Sequence, residues 1–319
     1  MTDKSCIIVA DAAGIAKAAA WLNAGGVVAV PTETVYGLAA RAGDGAAVAH
    51  IYAAKGRPAF NPLIVHVSGM AQAETLVIVD AVARRLIDAF WPGPLTLVLP
   101  LRAGAPVAGL VTAGLSTLAV RCPAHPVMAA LIAACGPLAA PSANASGRLS
   151  STTAAHVAAT LAVPILDGGS TMAGVESTIV AVDAGAVRLL RPGAVALEAI
   201  ESVVGALGTA GDAIVAPGMM TSHYAPEQPL RLDVMLAAPD EFHIGFGAVA
   251  GDINLSAAGD AVEAAARLFA VLHAAQASGR ARIAVAPVPE TGLGAAINDR
   301  LRRAAAPRSG ERRLSRHAG

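Results

Sequence analysis

The chain has 319 residues, a length typical of about two domains. Hydrophobic residues make up 55% of it and charged residues 14%, so a largely disordered chain is excluded. The formal net charge is zero, which argues against a wholly basic nucleic-acid-binding surface, although the end 300–319 holds seven Arg and one Glu. Mean hydropathy is high at +0.58, but prolines interrupt the longest uncharged run, and neither a transmembrane segment nor a signal peptide is predicted.

The three cysteines are an odd number without CxxC spacing. Cys6, Cys122 and Cys135 therefore favour buried thiols in a reducing compartment over a disulfide framework or a zinc site. We accordingly expect a cytoplasmic protein without membrane association and without a metal site built from protein ligands.

Short apolar runs alternate with Ala-rich helical stretches from the N-terminus to about residue 205. The predicted strands are 6–9, 26–31, 63–67, 95–100, 117–121, 137–140, 164–166, 177–182 and 186–190. The predicted helices are 12–23, 45–54, 82–90, 127–134, 152–160 and 197–204. Because several strands follow one another directly, residues 1–205 are predicted to form an α/β domain with a mixed sheet.

Residues 206–228 have the Gly- and Pro-rich composition of a linker, and 229–319 are predicted to form a second, smaller α/β domain ending in an Arg-rich tail. Its predicted strands are 230–233, 242–246 and 282–285, and its predicted helix is 257–277. The linker also carries Ser222, His223 and Tyr224, which a plain tether does not need. We therefore hypothesise a lid with hinges at Gly211 and Gly218; the alternative is a linker pinned by Tyr224 against an apolar surface.

Clusters of polar residues follow several predicted strands. Segment 31–37 reads Pro-Thr-Glu-Thr-Val-Tyr-Gly, and its plain interpretation is a Thr–Glu turn with Gly37 as the turn residue. Lys55 and Arg57, separated by one glycine, suit a polyphosphate, although cations also favour helix C-termini. Arg121 ends an apolar strand, where burial is costly unless the guanidinium meets an anion. His66 within a strand is more often a core histidine than a catalyst.

These clusters predict a basic cavity rich in hydroxyl groups, with no nucleophile–base pair and no P-loop. Such a cavity suits positioning and electrostatic chemistry on an anionic substrate, as in nucleotidyl transfer.

In order along the chain, several segments closely resemble the threonylcarbamoyl-AMP synthase family in its long form. These segments are PTETVYGL, KGRP, NPLIVHV, FWPGPLTLVL, LAVRCPAHP, APSANASGR, GVESTIV, LLRPG and PGMMTSHYAP. The resemblance implies a YrdC-like mixed twisted sheet with helices around a basic cavity, plus a smaller Rossmann-like C-terminal domain.

The resemblance also implies a reaction in which L-threonine, bicarbonate and ATP, with Mg²⁺, give threonylcarbamoyl-AMP and pyrophosphate. Downstream tRNA threonylcarbamoyl-transfer proteins would consume the product, and tight tRNA binding is not expected. The implied residues fall into three sets. The catalytic tetrad would be Lys55, Arg57, Ser142 and Asn144. The ATP contacts would be Arg57, Asn61, Thr117, Ser142, Ser150, Arg191 and Tyr224. The threonine contacts would be Thr34, His66, Arg121, the backbone of Ala140, and Ser177.

The sequence is also compatible with two other functional classes. One is a carbamoyl-adenylating maturation factor, which the absence of zinc-finger cysteines disfavours. The other is an RNA-binding module that uses the cavity and the Arg-rich tail, which the zero net charge and the lack of an aromatic platform disfavour.

Overall fold

The computed structural model describes residues 6–209 and 222–307. It divides into two compact units, one comprising 6–146 and 150–209, the other 147–149 and 222–307. Residues 210–221, with the hinge candidates Gly211 and Gly218, and the tail 308–319 lie outside the described residues. The linker and lid assignment of 206–228 therefore stays a prediction.

The larger unit contains eleven strands among its described residues. They are β1 (Ile7–Val9), β2 (Val28–Val30), β3 (Gly37–Arg41), β4 (Ile64–His66), β5 (Leu95–Pro100), β6 (Thr117–Arg121), β7 (Leu138–Ala139), β8 (Ile165–Asp167), β9 (Thr178–Asp183), β10 (Ala186–Arg191) and β11 (Gly208–Thr209). They form one mixed sheet in the order β1-β8-β2-β3-β7-β4-β6-β5-β9-β10-β11. At its centre, β4 runs parallel to β6 and β5 parallel to β9, whereas β5 and β6 are antiparallel.

Eight helices of the same described part pack around this sheet. They are α1 (Ala12–Asn23), α2 (Gly45–Lys55), α3 (Met70–Ala73), α4 (Ala81–Phe90), α5 (Gly109–Thr112), α6 (Pro126–Cys135), α7 (Ala154–Ala158) and α8 (Leu197–Val204). Side chains of Asp11, Asp44 and Asp80 cap the N-termini of α1, α2 and α4. Helix α2 ends because Gly56 adopts a left-handed φ of 60°, which makes Lys55 its last residue.

The α/β fold class is confirmed, and every strand and helix predicted for this unit is present. Strands β5 and β6 and helices α1 and α8 have the predicted ends, and the ends of the other predicted elements are shifted. Strand β3 was not predicted, and the expectation of a turn at Gly37 is wrong. Gly37 instead begins β3, where a Cβ atom would lie 3.2 Å from the Cβ of Ala140. Most of β3 is buried on both faces, so its Gly-Leu-Ala-Ala sequence lacks the alternation that signals a half-exposed strand.

The smaller unit is a parallel α/β arrangement. Its strands are β12 (Leu230–Arg231), β13 (Glu241–Gly245), β14 (Ile253–Asn254) and β15 (Arg282–Val285), in the order β12-β15-β13-β14, and its helices are α9 (Ala261–Ala277) and α10 (Gly294–Ala305). Helix α9 starts four residues later than predicted because Asp260 caps it. Helix α10 was not predicted.

The structure also bears on the predicted burial of the cysteines and on the predicted lack of a transmembrane segment. Cys122 and Cys135 are buried, but Cys6 is exposed, so the expectation of buried thiols is wrong for Cys6. No helix in the described part of the chain combines the length and apolar character needed to cross a bilayer.

Gly193 of the LLRPG segment is required by a close backbone approach. A Cβ atom there would lie 2.4 Å from the carbonyl oxygen of Glu176 and from the amide nitrogen of Thr178. We therefore expect Gly193→Ala to push the start of β9 aside and to lower the free energy of unfolding by about 1–3 kcal/mol. Denaturant unfolding followed by circular dichroism would measure this loss. Gly109→Ala is the matched control, because a Cβ there meets no atom within 4 Å; equal stability losses in the two variants would contradict the prediction.

Candidate active site

One face of the central strands has an apolar floor with polar residues at both ends. Side chains alternate between the two faces of a strand, so every second residue of a strand lies on the same face. Its register partners on the neighbouring strands lie on that face too. The floor consists of Ile64, Val98, Ala119, Ile179, Ala181 and Leu190, a buried cluster separate from the main core. The opposite face carries Val65, Leu97 and Val120, which belong to the main core.

His66 and Arg121 form the polar end of this floor. They are direct register partners on the parallel strands β4 and β6, and they are 3% exposed each. Beside them, the hydroxyl groups of Thr96 and Ser177 lie 2.7 Å apart on β5 and just before β9. Thr117 begins β6 on the same face, about 13 Å from Arg121 at a strand rise of ~3.3 Å per residue.

The Arg121 guanidinium is held by three neighbours. Its Nη2 lies 2.7 Å from Oε1 of Glu33, its Nη1 donates to Oγ1 of Thr34 at 2.9 Å, and its Nε donates to the Gly93 carbonyl at 3.2 Å. Thr32 donates to the Val35 carbonyl, so Thr34 must donate to the Thr32 oxygen 2.8 Å away. A directed chain of hydrogen bonds thus fixes both Arg121 and the Thr34 hydroxyl.

The groups at this end sum to zero charge. Burial raises the pKa of Glu33, but the Arg121 charge and the hydrogen bonds from Ala124 and Arg121 outweigh it, so the pKa lies below its usual value. Burial, then the Arg121 charge, lowers the pKa of His66 to about 3. At neutral pH, Glu33 is anionic, Arg121 is cationic and His66 is neutral.

A second cluster surrounds Lys55. Lys55 is 4% exposed, and its side-chain nitrogen donates to the main-chain carbonyls of Ser142 and Asn144. Burial, followed by the Arg57 charge, holds the pKa of Lys55 well below its usual value. Lys55 therefore ties the end of α2 to the loop that follows β7.

Arg57 and Asn61 belong to the loop directly after α2. The Arg57 guanidinium donates to the carbonyls of Asn61 and Pro62 at 3.2 and 2.9 Å. The loop after β7 joins the floor through Ala140, whose N–H donates to the Ile64 carbonyl at 3.0 Å. A ligand that contacts the Ala140 backbone would therefore meet its carbonyl group.

A third cluster links β9 and β10. Arg191 is buried and donates through Nη2 to the carbonyl oxygen and the hydroxyl of Ser177, at 2.8 and 3.2 Å. Ser150, also buried, donates to the carboxylate of Glu176. The Ser177 hydroxyl thus contacts both Thr96 and Arg191, which places this cluster beside Arg121.

Thirteen of the fourteen predicted site residues lie in the larger unit, in these three clusters or at Thr117 and Ala140 beside them. Tyr224 lies in the smaller unit. It is 1% exposed, its ring centroid is 5.7 Å from that of Phe269, and the Arg300 guanidinium carbon lies 5.3 Å from its centroid. This packing agrees with the pinned-linker alternative, while the proposed nucleotide contact of Tyr224 stays a prediction.

A separate cavity of about 700 Å³ lies beyond this face, between the ends of β4, β6 and α4. Val67, Ile87, Trp91, Cys122 and His125 are among its lining residues, and none of the predicted site residues lines it. The basic character predicted for the substrate cavity therefore does not describe this one.

Sequence reasoning missed Glu33, Thr96 and Glu176 as members of the site. Glu33 was interpreted as a turn residue, and Thr32 does form that turn, but the Glu33 carboxylate pairs with Arg121. The sequence feature that pointed to Glu33 was the predicted burial of Arg121, because a buried arginine needs an anion. That anion lies 88 positions away in the chain, so only the tertiary structure identifies it.

Two family models match this chain in succession. Residues 20–193 match the Sua5/YciO/YrdC family model, described as telomere recombination. Residues 195–306 match the model for the C-terminal domain of threonylcarbamoyl-AMP synthase. The chain belongs to the threonylcarbamoyl-AMP synthase family.

Individual relatives support the assignment. The chain is 42% identical to the threonylcarbamoyl-AMP synthase of Pyrococcus abyssi, over 90% of this chain and 92% of that protein. It is 48% identical to that of Bacillus subtilis over 68% of this chain, and this match spans 66% of the B. subtilis protein, slightly less than two thirds. The solved structure of P. abyssi Sua5 in complex with L-threonine superposes with a TM-score of 0.85 at 38% identity, covering 94% of this chain and 97% of that one.

The buried neutral His66 makes a testable contribution to stability. Its pKa falls from 6.5 in the unfolded chain to about 3 in the folded protein, so between these values the unfolded state binds the extra proton. This stabilisation is complete above pH ~6.5 and is lost on acidification, at up to about 1.4 kcal/mol per pH unit. We expect His66→Gln to flatten the dependence of unfolding free energy on pH between pH 6.5 and 5. The exposed His50→Gln control should keep the wild-type slope; an unchanged slope in His66→Gln would contradict the prediction.

Proposed function

We propose that this chain forms threonylcarbamoyl-AMP and pyrophosphate from L-threonine, bicarbonate and ATP. The observation that carries the proposal is the face described above, with Arg121 and His66 at one end of an apolar floor and Thr117 at the other. An amino acid at the Arg121 end and a nucleoside along the floor would use the whole face. The P. abyssi relative binds L-threonine.

The amino-acid end would bind threonine through groups that are already oriented. Arg121 would receive the carboxylate, as a guanidinium fork suits a planar anion. Thr34 and Ser177, fixed by hydrogen bonds to Arg121 and Arg191, would contact the remaining polar groups of threonine. Neutral His66 could then act as a hydrogen-bond donor or acceptor without adding charge.

The reaction then needs two bond-forming steps. The threonine ammonium group first releases one proton to solvent. The free amine then attacks the carbon of bicarbonate, and the bicarbonate hydroxyl leaves as water with a second proton from the nitrogen, which gives an N-carboxylate. An oxygen of this carbamate attacks the α-phosphorus of ATP in line, and the bond to the bridging oxygen breaks to release pyrophosphate. No covalent enzyme intermediate is required, so the protein acts by positioning and by charge.

Lys55 and Arg57 would stabilise the charge that develops on the leaving pyrophosphate. An ammonium group has three N–H donors, and two of those on Lys55 are given to the Ser142 and Asn144 carbonyls. The third is available for a phosphate oxygen. The same two carbonyl contacts hold the loop that carries the Ser142 and Asn144 side chains.

Mg²⁺ would enter as the ATP complex. The described residues contain no group of three or more His, Cys, Asp or Glu side chains that could hold a metal. The ion would be held mainly by the phosphates and water, and Ser142 and Asn144 are the members of the tetrad with side-chain oxygen donors. When bound, Mg²⁺ would neutralise triphosphate charge.

The product is a reactive acyl-adenylate, so we propose that the protein passes it to downstream tRNA threonylcarbamoyl-transfer proteins in the cytoplasm. The three cysteines are free thiols, which supports a reducing compartment. Tight tRNA binding by the chain alone is not part of the proposal; strong, salt-sensitive tRNA binding would favour the RNA-binding alternative instead.

The central test is pyrophosphate release by the pure chain with ATP, Mg²⁺, threonine and bicarbonate. We expect release to require all three substrates. Lys55→Ala and Arg57→Ala should each lower turnover by about 100-fold or more, as loss of a preorganised charge commonly does. Lys17→Ala and Arg102→Ala remove exposed cations and should retain wild-type turnover. Near-normal release by both tetrad variants would contradict the assignment.

Tyr224 needs a gentler substitution than alanine. Its ring is part of the packing of the smaller unit, so Tyr224→Ala would lower stability whatever the ring does for the nucleotide. Its backbone has a left-handed φ of 59°, a strained conformation for an aromatic residue that often marks a functional position. The neighbouring Ala225 donates to the Gly147 carbonyl at 2.9 Å, a hydrogen bond within the smaller unit.

We expect Tyr224→Phe to retain the melting temperature within a few degrees and to raise the KM for ATP without changing that for threonine. Tyr52→Phe is the comparison for stability. It removes a buried hydroxyl that donates to the carbonyls of Asn61 and Leu110, so it shows how far the melting temperature falls when such a group is lost. An unchanged KM for ATP in Tyr224→Phe would show that the Tyr224 hydroxyl does not contact the nucleotide.

A further inference from the structure

Glu33 is a buried charge to which the sequence and the implied site assign no role. It is 6% exposed, although an ionised carboxylate is costly to bury. Its Oε1 pairs with Arg121 at 2.7 Å and accepts the Ala124 N–H at 3.0 Å. Its Oε2 is also buried, and none of the described residues donates a hydrogen bond to it. Among the described residues, the site therefore retains a buried anionic oxygen without a hydrogen-bond donor.

The consequence for ligand binding follows from charge. Glu33, Arg121 and His66 together carry no net charge, and the next cation, Arg191, is bonded to the carbonyl oxygen and hydroxyl of Ser177. A ligand at Arg121 that carried only a carboxylate would therefore leave an unbalanced anion beside Glu33. A zwitterionic amino acid brings its own ammonium group, which offsets the two carboxylates. Buried unbalanced charges are much more costly than balanced ones.

We propose that Glu33 is a specificity-determining residue that makes the Arg121 site selective for zwitterionic α-amino acids over the corresponding α-hydroxy acids. This inference rests on the proposed function and extends it. Glu33 would act in two ways: Oε1 positions the guanidinium, and the negative charge on the carboxylate, whose Oε2 is buried and unpaired in the described part of the chain, would favour a ligand that brings an ammonium group. Selection for the amino group matters because only the amine can form the carbamate, and a bound hydroxy acid would block the site.

The test compares two ligands that differ in one group, L-threonine and 2,3-dihydroxybutyrate of the same configuration. Their binding to the full chain is measured by calorimetry in the wild type and in Glu33→Gln. We expect the wild type to prefer threonine by roughly 30-fold or more, the range in which unpairing a buried charge falls. In Glu33→Gln, threonine should bind more weakly and the preference should shrink to about threefold or less.

Two further variants separate selectivity from folding. Glu33→Asp keeps the charge and should retain the preference even if both affinities fall. Glu241→Gln removes a carboxylate from the corresponding Glu–Arg pair of the smaller unit, where Glu241 lies 2.7 Å from Arg231, and should leave both affinities unchanged. If Glu33→Gln does not fold, a wild type or a Glu33→Asp variant that shows no preference for threonine still overturns the proposal.

The outcomes are distinct. A wild type that binds both ligands equally, or a Glu33→Gln variant that loses both affinities by the same factor, overturns the selector role and leaves the proposed function intact. A wild type that binds no threonine and releases no threonine-dependent pyrophosphate overturns the proposed function and the role of Glu33 with it.

Discussion

The central strands of the larger unit are constrained on both faces, because one face must pack into the core and the other must form the candidate site. One face of β4, β5, β6 and β9 packs into the main core, while the other forms the apolar floor of the candidate site. Because side chains alternate along a strand, a register error of one residue would move His66 and Arg121 into the core. The parallel pairing of β4 with β6 aligns these two residues, so the register that forms the sheet also assembles the amino-acid end of the site.

Polar groups at the floor's end are held by one another rather than by solvent. Arg121 is fixed by Glu33, Thr34 and Gly93, and Arg191 by Ser177. Such prior pairing reduces the reorganisation that ligand binding requires, because the donors already have their orientation. The arrangement also keeps the local charge near zero, which suits a zwitterionic ligand better than an anion.

The two cationic groups implied in phosphate chemistry differ in their surroundings. Lys55 is buried and bonded to two main-chain carbonyls, whereas Arg57 is partly exposed and bonded to the carbonyls of its own loop. Loss of Lys55 would therefore affect the geometry of the loop carrying Ser142 and Asn144 as well as the charge. Loss of Arg57 would act more directly on charge.

Local sequence signals determined much of this protein. Capping aspartates, Gly56 and the proline pair after Phe90 set the helix ends, and apolar runs located every predicted strand. Strand β3 was not predicted because burial on both faces removes the alternation on which prediction depends. Helix α10 was not predicted although its buried residues Ile297, Leu301 and Ala304 recur at helical spacing; the buried Arg300 lies on the same face. The partners of buried charges were decided by tertiary structure alone. Glu33 meets Arg121, and Ser150 meets Glu176, across chain separations that no local pattern can encode, since electrostatic pairing depends on distance in space.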